Sequence, residues 1–429
     1  MQNYVLSELD CGERVISERV ESVRSVSLGF WIGAGSRDES DVSAGVSHFI
    51  EHLLFKGSGG YTAQEIAEIF DGLGGELNAA TSREHTMVYA RVPDDHLETA
   101  LNVMADMVYG PSFADLDAER EVVLEEIAMY EDTPQELVHD LFSEAVFADH
   151  PLGRPVIGTA EVISAVSRAA VAAYHGQMYV GGNIVVSAAG NLEHEALLEL
   201  VERVAPKRAG DGSRPARTLL VQAPPAGLRF GRKDTEQYHV CVGAPGISRS
   251  DRRRFAASLL DAIVGGSASS RLFQEIREKR GLAYAVYSFA SQYTDTGLVG
   301  VYVGTREENL GVCFEIVAEQ IADIAAGNVL ESELARAKEN LKGRIMLSME
   351  STSNRMSRLG RSLITDTELL TFDRIIAEIE AVDASTVAEL AAVLLAPERI
   401  SAAGIGPSEE RFREAIDRLN PSLGALAAA

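Results

Sequence analysis

His48, Glu51 and His52 lie close together in the segment SAGVSHFIEHLLFKG, residues 43–57. Successive residues of a helix are rotated by roughly 100°, which places these three side chains in one sector of similar width. Apolar residues fill the rest of the segment, which predicts a buried helix with one polar face. Imidazoles at positions i and i+4 can bind one metal ion, and the carboxylate between them can accept a proton from water. The spacing therefore predicts a hydrolytic metal site with Glu51 as general base.

The ends of this helix follow from local signals. Ser43 or Ser47 can cap its amino end, and Gly57 is a plausible end residue. A single buried histidine is usually satisfied by ordinary hydrogen bonds. Three polar groups in one sector favour a metal site over that alternative.

A third ligand is predicted from a second acidic helix, DLDAEREVVLEEIAMYED, residues 115–132. Glu119 and Glu126 fall within about 20° of each other, in an apolar stripe beside Val122 and Val123. A carboxylate in such a stripe is costly to bury unless a cation or a metal pairs with it. A metal would satisfy one of the two, and the alternative is an exposed acidic helix whose carboxylates are partly covered.

Composition narrows the class of protein. The chain has 429 residues, of which 46% are apolar and 24% charged, which is typical of soluble globular domains. A net charge of −25 argues against a nucleic-acid partner, because phosphate binding needs basic clusters. Three widely spaced cysteines, no run of 18 apolar residues and no basic, apolar leader predict a cytoplasmic protein without a membrane span.

The order of predicted elements recurs on both sides of a Gly-, Pro- and Arg-containing stretch, residues 206–218. In each half a strand is followed by an apolar helix, an extended segment and two further helices. The strands are residues 25–35 and 237–246, the extended segments 75–92 and 282–304, and the helices 95–109, 116–131, 307–325 and 331–350. This repetition predicts a duplicated α/β domain with a mixed sheet covered by helices in each copy.

The pentapeptide HFIEH, residues 48–52, resembles the inverted zinc motif of the pitrilysin and insulinase family. EREVVLEEI, residues 119–127, is similar to the segment that supplies the third ligand in that family. The resemblance implies that His48, His52 and Glu126 bind zinc and that Glu119 supports a ligand from behind.

Two further segments carry the resemblance across the chain. GGELNAATSREHT, residues 74–86, is similar to the edge strand to which substrate peptides add in this family, and it implies substrate contacts by Asn78 and Ala79. Residues 265–288 resemble the segment that contributes an arginine and a tyrosine, here Arg277 and Tyr284. Their implied role is to bind substrate carbonyls and stabilise a developing oxyanion.

The resemblance implies an α+β chain of two homologous domains that form half of a clamshell, as in the mitochondrial processing peptidase β-type subunit and its short bacterial relatives. The predicted domains are residues 1–205, which bind zinc, and residues 221–429, which grip substrate, joined by a linker at 206–220. The second half carries no His-x-x-Glu-His motif, so we expect one zinc per chain.

The expected activity is that of a zinc endopeptidase, which hydrolyses extended, unstructured peptides bound as an added β-strand in a closed chamber. A homodimer is expected, with Arg277 and Tyr284 serving the zinc of the partner chain. A non-catalytic scaffold subunit of the same fold is the alternative. Processing of targeting peptides and degradation of small peptides both stay open.

Overall fold

A computed structural model describes residues 4–205 and 212–425 of the chain. Its strands are β1 (Tyr4–Glu8), β2 (Arg14–Arg19), β3 (Ser25–Ile32), β4 (Glu76–Thr81), β5 (Thr86–Pro93), β6 (Ile184–Gly190), β7 (Leu228–Arg232), β8 (Tyr238–Gly246), β9 (Ala283–Gln292), β10 (Gly297–Thr305) and β11 (Ser401–Gly406).

The helices are α1 (Val46–Leu54), α2 (Ala63–Leu73), α3 (Leu97–Tyr109), α4 (Leu116–Glu131), α5 (Pro134–Phe147), α6 (Ala160–Ala165), α7 (Arg168–Met178), α8 (His194–Val204), α9 (Arg254–Val264), α10 (Glu307–Ala325), α11 (Glu331–Ser348), α12 (Thr352–Ile364), α13 (Phe372–Ala381), α14 (Ala384–Leu394), α15 (Glu409–Ile416) and α16 (Pro421–Ala425). A π-helical turn spans Phe273–Glu278. The predicted strands and helices of both halves coincide with β3, β8, α3, α4, α10 and α11, which confirms the repeated order of elements.

The first compact unit is built from Met1–Ala128, Pro155–Thr218 and Met346–Thr371. Its six-stranded sheet has the order β1-β2-β6-β3-β5-β4, and β2 with β6 is the parallel pair among antiparallel neighbours. Strand β3 is buried along nearly its whole length because helices cover both of its faces. Strand β4 is an edge strand of this sheet.

The second compact unit is built from Met129–Arg154, Leu219–Ile345 and Phe372–Ala429. Its five-stranded sheet has the order β7-β11-β8-β10-β9, in which β7 and β11 are parallel and the other pairs are antiparallel. Each unit is thus a mixed, mainly antiparallel sheet covered by helices, and the predicted fold class is confirmed.

Each half of the chain contributes one helix to the unit built mainly from the other half, which a division at the predicted linker does not anticipate. Helix α5 lies in the first half of the chain but packs on the second sheet, where Val138 and Phe142 contact Cys241 and Tyr302. Conversely, α12 packs on the first sheet. Both helices have an apolar face that is buried by this packing. Residues 206–211 of the predicted linker lie outside the described residues.

Helix α12 approaches the first sheet closely. A Cβ atom at Gly360 would lie 2.0 Å from Nε1 of Trp31, so only glycine fits at this position. Nε1 of Trp31 donates a hydrogen bond to the hydroxyl of Ser187 on β6, which satisfies the one polar group of this buried side chain. Met356 and Leu359 of α12 complete the apolar contact.

Two sequence-based expectations concern thiols and membranes. Cys11, Cys241 and Cys313 are all free thiols. Among the described residues, no helix combines the length and the apolar character needed to cross a lipid bilayer.

Candidate metal centre

Helix α1 carries the predicted metal-binding motif, and a glutamate from outside the helix caps it. The helix begins at Val46 after Gly45, whose φ of 93° suits glycine. The carboxylate of Glu39 accepts hydrogen bonds from the backbone N–H groups of Gly45 and Ser47, both at 2.7 Å. The predicted serine caps are therefore wrong, because a buried carboxylate satisfies these donors and also complements the helix dipole.

The three predicted ligands converge between α1 and α4. Nε2 of His52 lies 3.3 Å and Nε2 of His48 lies 3.8 Å from Oε2 of Glu126. All three ligand atoms lie within 4.8 Å of one another. Tetrahedral zinc with bonds of 2.0–2.1 Å separates its ligand atoms by about 3.3 Å, so this donor set fits zinc in type, number and spacing.

A polar chain continues behind His52. Its Nδ1 lies 2.8 Å from Oε1 of Glu119, and Oε2 of Glu119 lies 2.7 Å from Nζ of Lys56. The buried Glu119 carboxylate, with the lysine beside it, accepts a hydrogen bond from Nδ1–H of His52, which leaves Nε2 free to bind a metal. Glu121 and Glu125, on the opposite side of α4, are exposed to solvent.

His48 lies in a drier environment than His52. Burial, followed by the charge of His52, lowers the pKa of His48 to about 4. Its ring is therefore neutral at physiological pH, which is the form that binds a metal. Its Nδ1 is buried and has no hydrogen-bond partner among the residues that the structure describes.

Glu51 is held by a residue of the edge strand. The hydroxyl of Thr81 donates a hydrogen bond of 2.5 Å to Oε2 of Glu51. Burial raises the pKa of Glu51, and the Thr81 hydrogen bond opposes that rise. A half-buried carboxylate with a raised pKa is suited to general-base chemistry, since it binds and releases a proton nearer to neutral pH.

Strand β4 carries the two predicted substrate-binding residues. Asn78 is exposed and Ala79 is buried, as expected from the alternation of a strand. The Asn78 side-chain oxygen accepts a hydrogen bond of 2.8 Å from the Ala79 N–H. A backbone donor at the free edge is thus satisfied locally.

Arg277 and Tyr284 belong to the second unit, and they contact each other. The Arg277 guanidinium lies 4.4 Å from the centre of the Tyr284 ring and 4.8 Å from that of Phe273. Tyr284 is 77% exposed, which is unusual for a tyrosine on a strand. Their action at the metal of a partner chain stays a prediction.

Sequence reasoning missed three residues of this centre, namely Thr81, Lys56 and Glu39. Thr81 stands two residues after Ala79, so alternation places both on the face of β4 that is covered by helices. Lys56 lies two residues beyond the end of α1, where helical spacing no longer predicts the direction of its side chain. Glu39 carries no local signal, because its contact depends on how the loop before α1 folds.

The fold and the converging ligands define a two-unit α/β protein with a candidate mononuclear metal centre. Residues 14–160 match the insulinase family (peptidase family M16), and residues 165–341 match the peptidase M16 inactive domain. An uncharacterized zinc protease of Mycobacterium leprae is 42% identical over 402 residues, covering 92% of this chain and 90% of the relative. The chain belongs to peptidase family M16, which confirms the predicted resemblance.

A second relative agrees with this assignment, and two solved structures share the fold. The uncharacterized zinc protease YmxG of Bacillus subtilis is 40% identical over 401 residues, or 92% of this chain and 97% of YmxG. The crystal structure of a protease from Helicobacter pylori superimposes with a TM-score of 0.87 at 21% identity, covering 94% of this chain and 99% of that one. A structure titled peptidase M16 inactive domain, from Pseudomonas fluorescens, gives 0.86 at 24% identity, covering 95% and 98%. These two likenesses concern the fold.

Proposed function

We propose that this chain is a zinc-dependent endopeptidase that hydrolyses extended, unstructured peptides. The observation that carries the proposal is the convergence of His48, His52 and Glu126 beside the half-buried carboxylate of Glu51. The M16 relatives from Mycobacterium leprae and Bacillus subtilis are named zinc proteases, which supports zinc as the metal. One such cluster in the described residues corresponds to one zinc per chain.

The protein's own groups have separate roles in this proposal. Bound zinc supplies Lewis acidity, which polarises a carbonyl and makes nearby water more acidic. Glu51 takes the proton from the attacking water and delivers it to the leaving amine as the peptide bond breaks. Glu119 and Lys56 keep the ring of His52 in the tautomer and orientation of a ligand.

The substrate is proposed to add to β4 as a further strand. The free edge of β4 offers backbone groups, and a peptide carbonyl can replace the Asn78 oxygen at the N–H of Ala79. Beside the strand lies an open cavity of about 550 Å³, lined by apolar side chains that include Phe55, Ile66, Phe70 and Leu77. An apolar side chain of the peptide fits there. An unstructured peptide supplies an unpaired strand, whereas most strands of a folded protein are already paired on both sides.

We further propose that the chain acts as a homodimer in the cytoplasm. Tyr284 is a large exposed aromatic side chain with a guanidinium stacked on it, an arrangement suited to binding a carbonyl in trans. The dimer and its closed chamber rest on the family resemblance. A non-catalytic scaffold subunit is the alternative that an activity assay eliminates.

Zinc removal and replacement test the proposal. The purified protein is incubated with a pool of unstructured peptides before chelation, after chelation, and after addition of one equivalent of zinc. Cleavage that is lost on chelation and restored by zinc, with a folded protein left intact under the same conditions, supports a zinc endopeptidase. Retained zinc without cleavage of any peptide would favour the scaffold function. A panel of targeting peptides and short internal peptides separates processing from degradation.

A further inference from the structure

The two sheets can be matched residue by residue, although the units share little sequence. In the first sheet, Thr86 of β5 pairs with Ile32 of β3 on one side and with Thr81 of β4 on the other. In the second sheet, Val301 of β10 pairs in the same way with Val242 of β8 and Ser288 of β9. This register makes Ser288 the counterpart of Thr81.

Spacing along the chain extends the correspondence to the helices. Asp261 follows Val242 by as many residues as Glu51 follows Ile32, so Asp261 is the counterpart of Glu51. The turn before each edge strand agrees, since Gly74 and Gly281 have φ values of 63° and 61° and precede Thr81 and Ser288 by the same number of residues.

The contact between acid and hydroxyl is present in both units. Ser288 donates a hydrogen bond of 2.6 Å to Oδ1 of Asp261, as Thr81 does at 2.5 Å to Oε2 of Glu51. Both carboxylates are half-buried, and both hydroxyls come from an edge strand. In each unit the contact ties the first long helix after the central strand to the edge of the sheet.

The two histidine ligands, by contrast, have no counterpart on α9. By the same correspondence, Ser258 and Ala262 of α9 replace His48 and His52. Ala262 and Ala337 line a cavity of about 20 Å³ in the second unit. The contact between acid and hydroxyl therefore does not depend on a metal, and it is a feature of the duplicated fold.

We propose that Thr81 is the positioning residue for the general base. Its hydroxyl fixes Oε2 of Glu51, so that the other carboxylate oxygen is directed to the proton of the attacking water. Thr81 is itself placed by the register with Thr86, whose hydroxyl donates to the carbonyl of Ala34 at 2.9 Å. This inference rests on the proposed peptidase function.

Thr81→Val and Thr81→Ser test the proposal, with Ser288→Val as the matched control. Valine keeps the shape of threonine but removes the hydroxyl, and serine restores it. We expect Thr81→Val to lower kcat by about 10- to 100-fold, with KM within about twofold and zinc content unchanged. Thr81→Ser should recover most of kcat. Ser288→Val removes the equivalent hydrogen bond in the second unit, which carries none of the predicted ligands. It should lower the melting temperature without a comparable loss of kcat.

Wild-type kcat from Thr81→Val, or an equal loss of kcat from Ser288→Val, would overturn the positioning role. Failure of the wild-type protein to cleave peptides would instead contradict the proposed function. In that case a crystal structure of Thr81→Val decides the question, since a rotated Glu51 side chain supports the positioning role and an unmoved one overturns it.

Discussion

The Nδ1 atom of His52 lies 2.8 Å from Oε1 of Glu119, and this contact sets which nitrogen of the ring faces Glu126. Glu119 in turn pairs with Lys56 at 2.7 Å. The glutamate supplies no ligand atom to the candidate site, but it determines the orientation of one. His48 has no comparable partner on its Nδ1 among the described residues, so the two histidines depend on their surroundings to different degrees.

Removing the Glu119 carboxylate should weaken zinc binding. We expect Glu119→Ala to lower zinc affinity by about 10- to 100-fold, because the His52 ring loses the acceptor that fixes its tautomer. Competition with a chromophoric chelator measures the change. Glu121→Ala is the matched control, since Glu121 is an exposed glutamate on the same helix. Equal zinc affinities for Glu119→Ala and the control would show that Glu119 does not support zinc binding.

Action of Arg277 in trans predicts complementation between two inactive chains. After co-expression of Glu51→Gln with Arg277→Ala under separate tags, the mixed dimer should show about half of wild-type activity, because one of its two sites is intact. Each variant alone should be nearly inactive. Peptide cleavage by the doubly purified mixed dimer measures the effect. A mixed dimer without activity would place Arg277 on its own chain's site or outside catalysis.

Because the pKa of Glu13 is raised by burial, the free energy of unfolding should fall as the pH rises. Its side chain is fully buried, and burial raises its pKa to about 7, against an opposing hydrogen bond from Tyr109. The neutral form stabilises the fold fully below pH 4.5, and this contribution is lost as pH rises through about 7. Glu13→Gln should therefore gain about 3 kcal/mol over wild type at pH 8 and little at pH 4.

Urea unfolding at several pH values checks this difference. Glu8→Gln serves as control, because Glu8 is exposed on a neighbouring strand. A stability difference between Glu13→Gln and wild type that is the same at pH 4 and pH 8 would mean that Glu13 does not titrate between those values in the folded protein.

Two Gly→Ala substitutions, one in α12 and one in α11, should change the stability of the protein in opposite directions. Gly360→Ala should destabilise the protein by about 1–3 kcal/mol, because its Cβ would collide with the indole of Trp31. Gly343→Ala in α11 should stabilise by about 1 kcal/mol, since no atom lies within 4 Å of its added Cβ and alanine favours a helix. Thermal unfolding measures both, and a stable Gly360→Ala would contradict the tight packing of α12.

The candidate site was predictable where it depends on helical periodicity alone. Residues four apart lie on the same face of a helix, as His48 and His52 do. Residues seven apart also share a face, as Glu119 and Glu126 do. Both relationships hold within a single helix, and the structure preserves them. The edge position of β4 was also expected, but only from the family resemblance.

Contacts between distant segments were not predictable from the sequence. The hydroxyl of Thr81 is one of several on a polar segment, and its meeting with Glu51 depends on the register of β4 with β5. The sequence likewise did not predict that α5 packs on the second sheet and α12 on the first. An amphipathic helix shows which face it buries, but its sequence does not show which of two similar sheets will cover that face.

Metal content and peptide hydrolysis, measured together for wild type, Glu51→Gln and His52→Ala, test the central claim most directly. We expect about one zinc per chain in wild type and in Glu51→Gln, a loss of zinc in His52→Ala, and cleavage by wild type alone. Cleavage that survives in Glu51→Gln, or a wild-type protein that binds no zinc, would contradict the assignment of base and ligands.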